Sequence, residues 1–168
     1  MFGNANAFAI EHQWPEFSTE QLHVMELCQH HHVAVVSKAG TGKTTLALRC
    51  AWQHFEQHAE RCLLLTYNAG LKKDARQRIQ DFHIGAAVEA HSFHAAALRF
   101  WGDCEGTTLG GADDAMIAQV LMKPNVVLPF GLVIVDEVQD LTPLYCEFVQ
   151  KILQCCETSG VPTGRSFG

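Results

Sequence analysis

Two short stretches carry residues whose types and spacing could do phosphate chemistry. The first is Ser37-Lys38-Ala39-Gly40-Thr41-Gly42-Lys43-Thr44, continued by Thr45. It fits the phosphate-loop pattern G-x-x-x-x-G-K-[ST] except that Ser37 stands at the first glycine. Gly40 and Gly42 let the backbone curl so that successive N–H groups converge, and the positive end of a following helix completes an anion cradle. In such a cradle Lys43 reaches the outer phosphates and the Thr44 hydroxyl holds Mg²⁺. The second stretch is Asp136-Glu137, which closes the apolar run Leu132-Val133-Ile134-Val135. Asp136 would hold Mg²⁺, often through water, and Glu137 would orient and deprotonate an attacking water. Each stretch alone has a plainer reading, a chance Gly-Lys-Thr turn or an acidic helix cap. Their pairing in one chain favours the chemical one.

Those residues need a frame, and hydrophobic periodicity supplies it. Val33 to Val36 reads as a buried parallel strand leading into the phosphate loop. Thr45 to about Gln57 reads as a helix with Leu46, Leu48, Ala51, Trp52 and Phe55 at core spacing. Cys62 to Tyr67 is a second buried strand, ended by Asn68-Ala69-Gly70. Leu71, Ala75, Ile79 and Phe82 recur at helical spacing and leave Lys72, Lys73 and Arg76 outward. Ala86 to Ala90 is a short strand leading through His91 and Ser92 into a helix that reaches Trp101. Gly102 to Gly111 is a Gly-rich acidic loop, Ala112 to Met122 a short helix, Pro124 to Pro129 connecting chain. Thr142-Pro143 opens a last helix, with Leu144, Phe148, Ile152 and Cys156 on its buried stripe. The fold class is α/β: a mainly parallel sheet with helices on both faces.

Upstream, Ser18-Thr19-Glu20-Gln21 marks a helix start in which Ser18 caps and Gln21 reaches back as in a capping box. Reading the adenine edge of a nucleotide is a second role open to Gln21, and from the residue alone the cap prevails. His30-His31-His32, with His23 and Cys28 nearby, has no second ligand group at metal spacing. These histidines end the first helix, where a cationic side chain suits the dipole.

Hydrophobic content of 48% in 168 residues gives one domain with a proper core and excludes a disordered chain. No apolar run approaches the ~20 residues of a membrane span, and no basic-then-apolar leader opens the chain. A soluble intracellular protein is expected, nuclear if the source is eukaryotic. The 7 cysteines are an odd number with no C-x-x-C pair, which points to reduced thiols. The net charge of −6 argues against a surface coated for nucleic acid. Even so, Lys72, Lys73, Arg76 and Arg78 cluster in one segment just beyond a strand end, where ligands of open parallel sheets bind.

Taken together the motifs resemble the N-terminal RecA-like ATPase domain of UvrD/Rep-like superfamily 1 DNA helicases, over most of Phe17 to Leu153. The loop AGTGKTT alone indicates only a phosphate-loop NTPase. Asp136-Glu137-Val138-Gln139-Asp140 is more specific, since DExQD is the form of the second helicase motif in that group. LLLTYNAGLKKDAR looks like motif Ia, and Ala90-His91-Ser92-Phe93 looks like motif Ib, with Glu89 where threonine is usual. The resemblance implies ATP and Mg²⁺ as cofactors. It places Gln21, Ala39, Gly40, Thr41, Gly42, Lys43, Thr44 and Thr45 on the nucleotide, and Thr44 and Asp136 on the metal. Lys43, Glu137 and Gln139 would then serve catalysis. Single-stranded DNA is the implied partner, along Thr66, Asn68, His91 and Ser92, and the basic cluster adds Lys72 and Lys73 beside that track.

The domain division that follows is an irregular segment over 1–16, an incomplete RecA-like ATP-binding domain over 17–156 and an unpatterned tail over 157–168. The family's third motif and its second RecA-like domain, which supplies arginine fingers, have no counterpart in the sequence. A fragment binding nucleotide and, weakly, single strands is the expectation, with hydrolysis suffering more than binding because such a finger is worth on the order of 10³ or more in rate. Two rivals remain: a non-catalytic nucleotide-binding module paired with another chain, and a phosphate-loop kinase. The kinase would need an acceptor pocket and an arginine-bearing lid, for which the region after Lys43 offers only one basic cluster.

Overall fold

The computed structural model describes residues 14–38, 40–67, 69–102 and 113–157. Of the positions singled out above, Ala39 and Asn68 lie outside the described residues, as does nearly all of the Gly102–Gly111 loop.

Among the described residues, six α-helices and three strands follow in the order α1 (Thr19–Cys28), α2 (Lys43–His58), β1 (Arg61–Thr66), α3 (Ala69–Asp81), β2 (Val88–Ser92), α4 (Phe93–Trp101), α5 (Asp113–Met122), β3 (Phe130–Val135) and α6 (Pro143–Glu157). The strands form one parallel sheet in the order β2-β1-β3. Alternation along β1 assigns the two faces. Leu63 and Leu65 point to one core with Phe93, Ala96 and Ala97 of α4, Ile117 and Val120 of α5, and Phe148 and Ile152 of α6. Cys62 and Leu64 point to the other, with Leu48 and Ala51 of α2 and Ala75 and Ile79 of α3. Helices therefore cover both faces of the sheet, as the strand–helix alternation in the sequence requires. Phe93, the aromatic beside a strand end, is fully buried in the first core.

The register brings the carboxyl ends of the three strands level. Leu65 pairs with His91 on one side and Val135 on the other, and the Asp136 N–H donates to the Leu65 carbonyl at 2.9 Å. The acidic pair is thereby fixed at the top of the sheet beside Thr66.

Two expectations change. Val33 to Val36 forms no strand: Val35 is 40% exposed and Val36 96%. β-branched side chains favour an extended chain only when layers on both faces bury them, and Ala34 to Val36 are exposed. The run lacks the covering that its composition is suited to. The strand placed at Ala86 to Ala90 sits two residues later, so His91 and Ser92 belong to β2 itself.

No helix among the described residues is long and apolar enough to cross a membrane.

Candidate nucleotide and metal site

The site is built where α2 begins and β3 ends. Gly40 and Gly42 adopt φ of 77° and 83°, left-handed backbone that suits glycine, and Gly42 is the N-cap of α2. With no side chain capping that end, its first N–H groups are left for a ligand. The loop is braced from inside. The Thr41 hydroxyl donates to the Lys38 carbonyl at 2.9 Å and lies 2.7 Å from the Ser37 hydroxyl, so Ser37 fills its unusual position with a hydrogen bond. Lys43, the first residue of α2, folds back so that its ammonium donates to the carbonyls of Ser37 and Lys38, both at 3.1 Å. A phosphate entering the cradle would replace these neutral acceptors with a charged one, a stronger partner for the ammonium.

Across the site, the Thr44 hydroxyl donates to Asp136 Oδ2 at 2.9 Å, joining residues 92 apart in the chain. Asp136 Oδ1 accepts the Glu137 N–H at 3.0 Å, so both carboxylate oxygens are held. These are the hard oxygen donors that suit Mg²⁺, which takes few protein ligands and completes its shell with water and phosphate. Among the described residues no group of three or more His, Cys, Asp and Glu is arranged to hold a metal by itself. A cation here would be shared with the nucleotide.

Glu137 sits at φ 58°, ψ 48°, a left-handed conformation uncommon for a side-chain-bearing residue and costing on the order of 1 kcal/mol. The chain turns there from β3 into a single 3-10 turn over Val138–Asp140. Within that turn Gln139 donates its amide to the Glu137 carboxylate. Gln139 thus orients Glu137, a division of labour within DExQ that spacing alone does not reveal.

Gln21 closes the expected capping box and makes a second contact, to the phosphate loop. Its Oε1 accepts the Ser18 N–H at 2.9 Å, closing the capping box, while its Nε2 donates to the Thr41 carbonyl at 3.1 Å. The first turn of α1 is thereby tied to the phosphate loop. Thr45 is buried, and its hydroxyl accepts from Arg78 Nη1 of α3 at 3.1 Å. That Arg78 contact was missed from sequence: Arg78 is exposed on α3, next to the buried Ile79. Arg76, expected to point outward, is exposed and also donates to the Ala90 carbonyl of β2 at 3.1 Å.

The residues set on the DNA track separate into two groups. Thr66, His91 and Ser92 are buried. Thr66 donates to the His91 carbonyl at 3.4 Å, Ser92 caps α4 through the Ala95 N–H, and His91 bonds Glu89 at 2.8 Å with its ring edge-on to Phe100. Glu89, the departure from the motif pattern, is also bridged by Arg61 at 3.1 Å and approached by Arg99 at 3.9 Å. Burial raises its pKa, but the His91 hydrogen bond and the charges of His91, Arg61 and Arg99 outweigh this and hold it below the usual carboxylate value. Lys72 and Lys73 stand on the first turns of α3, half-buried and exposed respectively.

No curated protein and no solved structure matches the chain. A family model described as an AAA domain matches residues 20–159, which takes in α1, the phosphate loop, the whole sheet and the acidic strand end. That span covers most of the 168 residues and every element of the site, and the chain belongs to the AAA domain family.

Proposed function

We propose that this domain binds ATP with Mg²⁺ and belongs to a UvrD/Rep-like DNA helicase, whose ATP hydrolysis drives movement along single-stranded DNA. The observation that carries the reading is the 2.9 Å bond between Thr44 and Asp136. It unites the phosphate loop with the acidic strand end at one point, as a site for a nucleotide-bound cation requires. Lys43 and the N-terminus of α2 would neutralise the phosphates, Thr44 and Asp136 would hold the cation, and Glu137, oriented by Gln139, would take the proton of the attacking water. The bound cation would offset the charge that builds on the phosphates during hydrolysis. A second RecA-like domain or chain would supply the arginine fingers.

The DNA half of the proposal rests on Lys72 and Lys73 at the carboxyl end of β1, in a protein otherwise acidic. Each phosphate contact to a single strand adds roughly −0.7 to the log–log salt slope. A labelled oligonucleotide titrated at two salt concentrations should bind weakly and more weakly as salt rises, and Lys72→Ala/Lys73→Ala should weaken binding and flatten the slope. Binding equal in both proteins, or indifferent to salt, would reject DNA at this edge. A specific observation gives weight to the rival in that case: Thr66, His91 and Ser92 are buried, the first two bonded within the sheet and Ser92 to α4. The nucleotide-binding module paired with another chain would then be the better account.

A further inference from the structure

Two cysteines that the nucleotide site does not use meet behind it. Cys28 is the last residue of α1, and Cys50 lies about two turns into α2. They share the small cluster in which Met25, Leu46 and Cys50 are buried against Phe17, Val24 and Cys28. They also line the same small pocket, beside Met25 and His54. Cys28 and Cys50 are thereby brought side by side. Cys28 is half-buried, whereas Cys50 is only 6% exposed. We propose that Cys28 and Cys50 form a reversible dithiol–disulfide site that takes low-molecular-weight disulfides such as oxidised glutathione as its oxidant.

The environment divides the roles. The hydrogen bond from Cys50 lowers the Cys28 pKa from 9.0 to about 7, against the opposing effect of burial. The same hydrogen bond, then burial, raises that of Cys50. Cys28 is thus the accessible thiolate and Cys50 the resolving thiol. In the first step the Cys28 thiolate attacks one sulfur of glutathione disulfide. A new S–S bond forms, the old one breaks, and one glutathione thiolate leaves. In the second step the Cys50 sulfur attacks Cys28 Sγ, the mixed disulfide breaks, and the departing glutathione takes up the Cys50 proton. One small disulfide is reduced to two thiols while the protein dithiol becomes a disulfide.

The bond would close a ring containing the entire phosphate loop, and it would join the helix whose Gln21 holds Thr41 to the helix that Lys43 begins. Such a ring stabilises the folded state by restricting the unfolded chain.

The test is incubation of the folded full chain with reduced and oxidised glutathione, acid trapping with a maleimide, and mapping of linked peptides without reduction. A Cys28–Cys50 linkage should predominate over every other pairing, revert with reduced glutathione, and raise the thermal midpoint. In Cys50→Ala, glutathione should remain on Cys28 as a mixed disulfide, because no second thiol is left to resolve it. Free Cys28 and Cys50 thiols in wild type under conditions that glutathionylate Cys146 would overturn the proposal. So would linkages scattered among the cysteines, or a disulfide that lowers the midpoint.

Discussion

Around the phosphates, single side chains are assigned by what they already hold. Glu137 is turned out of β3 by its left-handed backbone and steadied by Gln139. Its action on water would count in the transition state and hardly in the ground state. Glu137→Gln should therefore leave nucleotide affinity within about 2-fold while hydrolysis, measured in single turnover, falls by roughly 10² or more. A variant that loses binding as severely as Lys43→Ala would refute that role. Glu89 has a different, structural part. Its folded-state pKa lies below the ordinary 4.5, so its stabilisation is fully present above about pH 4.5 and is lost as pH falls through the lower folded value. The urea midpoint of the wild type should drop between about pH 7 and about pH 3, and Glu89→Gln should show a smaller drop from a lower starting point. Identical acid dependence in the two proteins would dismiss the cluster as a source of stability. The phosphate-loop and DExQ residues were legible in sequence because their chemistry fixes both type and spacing. The Arg78–Thr45, Arg76–Ala90 and Glu89–Arg61 pairs were not, because partners brought together by folding leave no spacing to read.

Elements were legible in proportion to how completely they are buried. β1, covered on both faces, and α6, with Phe148 and Ile152 fully inside, announced themselves by uninterrupted or periodic apolar residues. Val33 to Val36 carried an equally strong strand signal and failed, because propensity states what a segment suits and not whether other layers arrive to bury it. The start of β3 hides a constraint of another kind. A Cβ on Gly131 would stand 1.9 Å from Glu60 Oε2 and 2.7 Å from Glu60 Cβ, while Glu60 bonds His54 at 3.1 Å. Nothing in the sequence marks this glycine, whose need arises from a neighbour in space. Gly131→Ala should displace the Glu60 side chain and cost on the order of 1–3 kcal/mol, read as a lowered urea midpoint. An unchanged midpoint would show that Glu60 moves aside freely.

At the scale of the whole molecule, the sheet exists in this arrangement to bring separate pieces of chain to one edge. Parallel pairing levels the ends of β1, β2 and β3. Packing of α2 against the sheet then sets Thr44 against Asp136, while α1 clasps the phosphate loop through Gln21. That convergence should bind nucleotide. The direct measurement is a titration of a fluorescent ATP analogue, with Mg²⁺, into folded wild type and folded Lys43→Ala. Removing the ammonium now bonded to the Ser37 and Lys38 carbonyls deletes the charge meant for the phosphates. The wild type should bind, and Lys43→Ala should bind at least about 10-fold more weakly, a loss of ~1.4 kcal/mol. Equal affinity in the two proteins, or no binding by the wild type, would contradict it.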